Sequence, residues 1–139
     1  MQVSDPTNLP LGSPALNGVK VLCVDNEPDV CDLVTVLLTQ GGAQVTTAAS
    51  VSEALIAFQR LPPDVLIVDI ETPDADGYVL LQQIRALGPE QGGQIPAIAL
   101  TAHVYPGDRI RALSEGFQMY VPKPFDPEEL MTLVAHLAR

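Results

Sequence analysis

Short runs of apolar residues, each closed by a polar residue or a turn, recur along the chain at the spacing of buried strands. Three runs rich in Val and Ile cover residues 19–24, 64–68 and 95–100, and they predict strands buried on both faces of a parallel sheet. Two weaker runs, at 43–48 and 118–122, are shorter or alternate with polar residues, as strands at the edges of a sheet do. The pattern therefore predicts five strands.

Between these runs the apolar positions follow the period of a helix. The clearest stripe has the spacing i, i+3, i+4, i+7, i+8 and consists of Val30, Leu33, Val34, Leu37 and Leu38. Strict alternation of strands and helices requires right-handed crossovers and a parallel sheet covered on both faces. The predicted fold class is α/β, with a doubly wound five-stranded parallel sheet of the (βα)5 type.

Residue types suited to helix ends lie between the predicted strands. Capping-box spacing, which predicts helix starts, is found at Ser50 with Glu53 and at Asp126 with Glu129. Prolines suited to a first helical turn are Pro28, Pro106 and Pro127. Glycines placed to end a helix in the left-handed conformation are Gly41, Gly88 and Gly116.

Length and composition favour one folded domain with an irregular start. A chain of 139 residues with 47% hydrophobic residues has room for one core of ordinary size. Residues 1–18 are rich in Pro, Gly, Ser and Asn and follow neither the helical nor the strand period. We expect residues 1–18 to be a leader or linker and residues 19–139 to form the domain.

The charge balance and hydropathy restrict the partners and the location of the protein. The net charge is −10 and only seven residues are Lys or Arg, which argues against a nucleic-acid partner. No run approaches the roughly 18 apolar residues of a membrane span, and the start lacks the pattern of a signal peptide. We expect a cytoplasmic protein without a membrane partner.

Four polar residues are predicted at the carboxyl ends of four strands: Asp25, Asp69, Thr101 and Lys123. In doubly wound sheets, ligands bind at this edge, where the strand order reverses. Two carboxylates with oxygen-rich neighbours suit Mg²⁺, and a phosphoryl group would complete such a site. A carboxylate nucleophile would then yield an acyl phosphate.

Several segments together resemble a bacterial response-regulator receiver domain in order and spacing. The resemblance covers roughly residues 19 to 138 and is carried by VLCVDNEPD, PDVLIVDIETPDADGY, Thr101-Ala102 and the ending YVPKPF. It implies the flavodoxin-like strand order 2-1-3-4-5. The stretch GPEQGGQIPAIALTA from Gly88 is also similar to receivers at the carboxyl end of hybrid histidine kinases, although a free-standing regulator fits the same residues.

The resemblance implies a role for each matching residue of the acidic site. Asp69 would be the phosphoacceptor, and Asp25 would belong to the acidic pair that organises Mg²⁺. Glu71 would give the metal its backbone carbonyl. Thr101 and Lys123 would contact the phosphoryl oxygens.

The resemblance also implies a switch that moves with the phosphoryl group. Tyr120 matches the aromatic residue that rotates inward as Thr101 moves, and the Lys123-Pro124 peptide bond is expected to be cis. Glu71 and His103 stand two residues after Asp69 and Thr101. In receivers these positions influence how easily water reaches the acyl phosphate.

Asn26 is the main departure from the pattern, because most receivers carry an acidic metal ligand at its position. An asparagine oxygen can still ligate Mg²⁺, but it is neutral, so we expect weaker Mg²⁺ binding rather than none. Glu27 could substitute through a water, or it could simply be a favourable charge at a helix amino terminus. Both interpretations of Glu27 stay open from the sequence.

The predicted function is that of a phosphoacceptor in a two-component phosphorelay. A histidine kinase or a histidine phosphotransfer domain would donate a phosphoryl group to Asp69, and the altered charge would switch a surface that binds a downstream protein. Such a domain promotes its own phosphorylation and dephosphorylation without being a conventional enzyme. The alternative is a pseudo-receiver that binds its partner without phosphorylation because Asn26 has weakened the metal site.

Overall fold

Strands and helices alternate throughout the described part of the chain, which comprises residues 16–71, 77–102 and 105–138 of a computed structural model. Within these ranges there are five strands, five α-helices and a short 3-10 helix at Pro89–Gln91. The strands and α-helices are β1 Lys20–Val24, α1 Pro28–Gln40, β2 Gln44–Ala48, α2 Val51–Arg60, β3 Val65–Asp69, α3 Gly77–Arg85, β4 Ala97–Thr101, α4 Asp108–Glu115, β5 Met119–Pro122 and α5 Pro127–Leu137. None of the helices in these ranges is long and apolar enough to cross a membrane.

The strands form one parallel sheet in the order β2-β1-β3-β4-β5. This order confirms the predicted doubly wound fold and places the two weaker strands, β2 and β5, at the edges. Val24 of β1 is paired with Val68 of β3, so Asp25 and Asp69 follow at the same level of neighbouring strands. The topology therefore brings both carboxylates to the point where the strand order reverses.

Two apolar clusters sandwich the sheet because successive residues of a strand point to opposite faces. In β3, Leu66 and Val68 pack with α2, α3 and α4 on one face. Val65 and Ile67 pack with α1 and α5 on the other face. All five residues of β3 are buried, which explains why this strand reads as a continuous apolar run that ends in Asp69.

The predicted helix starts are mostly confirmed. Ser50 Oγ accepts a hydrogen bond from Glu53 N at 3.2 Å, and Asp126 Oδ1 accepts one from Glu128 N at 2.9 Å. Pro28 and Pro127 begin their helices. The prediction for Pro106 was wrong: α4 begins at Asp108, because the Asp108 side chain and backbone close a turn onto Tyr105 first.

The predicted helix ends are confirmed only in part. Gly116 ends α4 with φ of 112°, in the left-handed region as predicted. Gly41 has a φ of −83° and was wrongly predicted, since the left-handed residue is its neighbour Gly42 with φ of 98°. Gly88 was also wrong, with φ of −65° three residues beyond the last residue of α3. The sequence locates a helix end to within a residue or two, and the geometry of the last turn decides the rest.

Packed structure begins before the predicted boundary at residue 19. Leu16 is fully buried, its N–H donates to Gly41 O at 2.9 Å, and its side chain belongs to the cluster around α1 and α5. The division at 18/19 stays a prediction, and residues 1–15 lie outside the described part of the chain.

Gly77 lets α3 approach the end of β3 closely. A Cβ at this position would lie 2.6 Å from Val68 Cγ1 and 2.9 Å from Ile70 Cα, so the strand end would have to shift. We expect Gly77→Ala to lower the free energy of unfolding by about 1–3 kcal/mol, measured by urea denaturation. Gly88→Ala is the matched control, since its Cβ would meet no described atom within 4 Å and its φ is negative. Equal effects of the two substitutions would contradict this explanation.

Candidate functional site

Asp25 and Asp69 lie side by side at the carboxyl edge of the sheet and are held in the same way. Both side chains are buried. Asp25 Oδ1 accepts a hydrogen bond from Glu27 N, and Asp69 Oδ1 accepts one from Glu71 N, each at 2.9 Å. This local turn, in which a carboxylate binds the N–H two residues later, fixes one oxygen of each and leaves the other free to point inward.

The ammonium group of Lys123 lies among three carboxylates. Lys123 Nζ is 2.8 Å from Asp25 Oδ2, 3.0 Å from Glu27 Oε1 and 3.2 Å from Asp69 Oδ2. The lysine follows β5, its N–H donates to Thr101 O at 2.7 Å, and the Lys123-Pro124 bond is cis, as the resemblance implied. Strands far apart in the sequence therefore build this cluster together.

Burial and charge act against each other in the cluster. Burial raises the pKa of the Asp25 carboxyl above its ordinary value, and the hydrogen bond from Lys123 only partly offsets this. Burial alone would lower the pKa of the Lys123 ammonium, but the hydrogen bonds to Asp25 and Glu27 and the charge of Asp69 outweigh it and raise that pKa. Lys123 therefore stays charged at neutral pH, in a position that favours a cation.

The donor set of the cluster fits a hard divalent cation. One oxygen each of Asp25, Glu27 and Asp69 can be chosen so that all lie within 4.8 Å of one another. Carboxylate oxygens at this spacing are the ligands that Mg²⁺ prefers in proteins. The residues present are therefore chemically suited to the metal that the sequence predicted.

Glu27 contributes a carboxylate to the acidic cluster, in addition to the neighbouring side chain of Asn26. Asn26 is exposed and lines a cleft of about 210 Å³ beside Asp25. Glu27 precedes α1 without capping it through its side chain, and its carboxylate reaches Lys123 instead. A signal was present in the sequence: Pro28 begins the helix, so the residue before it lies outside the helix and its side chain can turn back to the sheet edge.

Thr101 lies on the other side of Asp69 and is bonded to Glu71. The hydroxyl of Thr101, at the buried end of β4, donates to Glu71 Oε1 at 2.5 Å. The ring of Tyr120 packs against the cluster around α2, α3 and α4, and its hydroxyl is buried without a hydrogen-bond partner among the described residues. Burial, followed by the charges of Asp108 and Glu71, raises the pKa of Tyr120.

The predicted site residues thus fall into two connected groups. Asp25, Asp69 and Lys123 are in direct contact, with Glu27 added. Thr101 is linked to Asp69 through Glu71. The N–H of Glu71 donates to the Asp69 carboxylate, and the carboxylate of Glu71 accepts from the Thr101 hydroxyl. His103 lies outside the described residues, as do residues 72–76.

The fold and the site together define a class of protein, a doubly wound α/β domain with an acidic, lysine-containing cluster at its topological switch point. The sequence profile of the response regulator receiver domain matches residues 21–135. The chain therefore belongs to the response regulator receiver domain family.

Individual relatives agree with this assignment. The chain is 43% identical to an uncharacterized 14.6 kDa protein of Leptolyngbya boryana over 82% of its own length and 86% of that protein. It is 38% identical to the transcriptional regulatory protein TrcR of Mycobacterium tuberculosis, over 92% of its own length and 47% of that protein. The chain thus spans about half of this longer relative.

Solved receiver structures have the same fold. The Francisella response regulator 1452 receiver domain superposes with a TM-score of 0.78 at 29% identity, over 87% of this chain and 97% of that one.

Proposed function

We propose that residues 19–139 form a phosphoacceptor receiver domain in which Asp69 accepts a phosphoryl group in a Mg²⁺-dependent reaction, with residues 1–18 as a leader or linker. The donor would be a phosphohistidine on a histidine kinase or a histidine phosphotransfer domain. The observation that carries the proposal is the position of Lys123 Nζ, within 3.2 Å of carboxylate oxygens of Asp25, Glu27 and Asp69. Such a cluster combines a nucleophile, a cation site and an anion-binding ammonium.

The residues of the chain have distinct roles in the transfer. An oxygen of Asp69 attacks the phosphorus, a P–O bond forms, and the P–N bond of the phosphohistidine breaks with its electron pair returning to the imidazole. The Glu71 N–H bond to Asp69 Oδ1 at 2.9 Å orients the carboxylate. Lys123 and Thr101 contact the transferred phosphoryl oxygens and stabilise their charge.

Four residues would hold the metal ion: Asp25, Asn26 and Asp69 through their side chains and Glu71 through its backbone carbonyl. When bound, Mg²⁺ would neutralise the repulsion between the anionic carboxylate and the anionic phosphoryl donor. Glu27 adds a carboxylate to this set, which offsets the neutral side chain of Asn26.

Phosphorylation would switch a partner-binding surface through Thr101 and Tyr120. A phosphoryl group adds about −1.5 to −2 charges at neutral pH and draws hydrogen-bond donors toward it. Movement of Thr101 at the end of β4 would be felt by Tyr120 on the adjacent strand β5, and from there by α4 and α5. The downstream protein that binds this surface would read the state of Asp69.

Incubation of the purified chain with a small acyl phosphate, with and without Mg²⁺, tests the proposal. We expect intact-mass spectrometry to detect the gain of one phosphoryl group only when Mg²⁺ is present. The same chain should lose the group on addition of a chelator more slowly than on addition of base, because acyl phosphates are labile to hydroxide. No gain in a chain that remains folded, even with an active histidine kinase, would favour the phosphorylation-independent binding module instead.

Glu27→Gln should weaken Mg²⁺ binding. Loss of one carboxylate charge near a divalent cation at about 4 Å corresponds to about 2 kcal/mol in water, or roughly thirtyfold in affinity, and isothermal titration calorimetry measures this directly. Asn26→Asp should strengthen binding for the same reason.

Glu128→Gln is the control for this experiment, because Glu128 is exposed in the first turn of α5 and does not belong to the acidic cluster. It should leave the Mg²⁺ affinity unchanged. If Glu27→Gln behaves like Glu128→Gln, Glu27 is only a helix-terminal charge.

A further inference from the structure

Glu71 connects the phosphoacceptor with the switch residue, and its side chain has no role in the proposed transfer. We infer that the Glu71 carboxylate is a positioning group that holds the Thr101 hydroxyl in the unphosphorylated state and thereby opposes phosphoryl binding at Asp69. The inference rests on the proposed function and adds a regulatory contact to it.

The geometry places Glu71 between the two residues. Its backbone N–H donates to Asp69 Oδ1 at 2.9 Å, while its carboxylate Oε1 accepts from Thr101 Oγ1 at 2.5 Å. Thr101 is completely buried, whereas Glu71 is exposed. The contact thus joins the carboxylate of an exposed residue to a buried hydroxyl at the end of β4.

A hydroxyl group has one proton to donate. While Thr101 donates it to Glu71, it cannot donate it to a phosphoryl oxygen on Asp69. Hydrogen bonds to a carboxylate are shorter and stronger than those between neutral groups. Thr101 therefore has to break a strong bond before it can bind the phosphoryl group.

The charge of Glu71 acts in the same direction. A phosphoryl group on Asp69 would bring a second negative charge close to this carboxylate, and like charges in a partly buried site raise the free energy of the phosphorylated state. The Lys123 ammonium is paired with Asp25, Glu27 and Asp69, whereas the Glu71 carboxylate accepts its hydrogen bond from Thr101. The hydrogen bond and the charge of Glu71 therefore both favour the unphosphorylated state over the phosphorylated state.

Two substitutions separate the hydrogen bond from the charge. Glu71→Ala removes both, while Glu71→Gln removes the charge and keeps an oxygen that can accept from Thr101. The readout is the affinity for beryllofluoride in the presence of Mg²⁺, a stable mimic of the phosphoryl group, measured by fluorine NMR. We expect Glu71→Ala to tighten binding about tenfold, the size of one charge-assisted hydrogen bond, and Glu71→Gln to tighten it less.

A double-mutant cycle with Thr101→Val tests whether Glu71→Ala changes the beryllofluoride affinity through the Thr101 hydroxyl. Valine keeps the branched shape of threonine and lacks the hydroxyl, so in this background Glu71→Ala should tighten binding by less than about threefold, which leaves only the charge term. Glu90→Gln, an exposed carboxylate in the turn at Pro89–Gln91, is the control and should have no effect on binding.

The outcomes are distinct. Equal tightening by Glu71→Ala in both backgrounds, or no tightening in either, would overturn the inference and leave the proposed function standing. If neither the parent nor any variant of the series bound beryllofluoride in the presence of Mg²⁺, the proposed function would fail as well. A coupling between Glu71 and Thr101 of about threefold or more would establish the contact as a regulatory element.

Discussion

Asp69→Asn is expected to abolish phosphorylation while leaving the fold intact. The amide nitrogen and oxygen are poor nucleophiles, and the substitution keeps the shape of the side chain and an oxygen that can accept from Glu71 N, as Asp69 Oδ1 does at 2.9 Å. The folded state should be little affected, since removal of one carboxylate also lowers the repulsion in the cluster. Intact-mass spectrometry after treatment with an acyl phosphate and Mg²⁺ should show no phosphoryl gain.

The neighbouring carboxylates make this a demanding test. Oxygens of Asp25 and Glu27 lie within 4.8 Å of an oxygen of Asp69, so either could in principle accept the group. Asp25→Asn is the matched control, because it removes a carboxylate from the same cluster and retains the proposed acceptor. It should still be phosphorylated, but more slowly. A phosphoryl group found on Asp25 or Glu27 in the Asp69→Asn protein would refute the assignment of the acceptor.

Lys123→Met should have the largest effect on stability. Without the ammonium, the buried carboxylates of Asp25 and Asp69 would face each other unpaired, and breaking a buried ion pair from one side costs about 3–5 kcal/mol. Methionine fills the space of the aliphatic part of lysine, so the loss would come from charge rather than from packing. Urea denaturation in the presence of a chelator measures the effect.

Mg²⁺ should stabilise the Lys123→Met protein more than the parent, because the metal ion would supply the missing positive charge. At neutral pH the parent carries a charged Lys123, because the pKa of this lysine is raised above its ordinary value of 10.5. The comparison between the parent and Lys123→Met is therefore a comparison with and without this charge. The stabilising charge is therefore fully present below pH 10.5 and is lost only as the pH rises through the raised pKa.

The control for Lys123→Met is Lys20→Met. Lys20 begins β1, at the end of the strand remote from the acidic cluster, and its replacement should change the free energy of unfolding by no more than about 0.5 kcal/mol. If the Lys123→Met protein were as stable as the parent in the absence of metal, the burial of the three carboxylates would not require the charge of this lysine, and the prediction would be wrong.

The helix boundaries illustrate how far local patterns reach. Ser50 and Asp126 were predicted correctly as helix caps, because a cap interacts with N–H groups two or three residues away. Pro106 was predicted incorrectly because Asp108 closes a turn first. Where two local structures compete for the same few residues, the pattern alone does not identify which one forms.

The acidic site illustrates the opposite limit. From the sequence, Glu27 was compatible with substitution at the metal site through a water and with a plain helix-terminal charge, and the second interpretation was favoured. The difference is decided by Lys123, 96 residues further along the chain, whose ammonium lies 3.0 Å from Glu27 Oε1. The contact between Glu71 and Thr101 spans 30 residues and was likewise invisible from residue spacing.

The sequence by itself determined the five strands, their alternation with helices, and the placement of Asp25, Asp69, Thr101 and Lys123 at the carboxyl edge. These features follow from short apolar runs closed by polar residues and from the helical period of 3.6 residues, both of which act over short stretches of chain. Only the tertiary structure decided that Glu27 joins the acidic cluster around Lys123 and that Glu71 accepts a hydrogen bond from Thr101. The direction of a long side chain depends on the charges and donors that distant strands bring within reach, and those become neighbours only when the sheet forms.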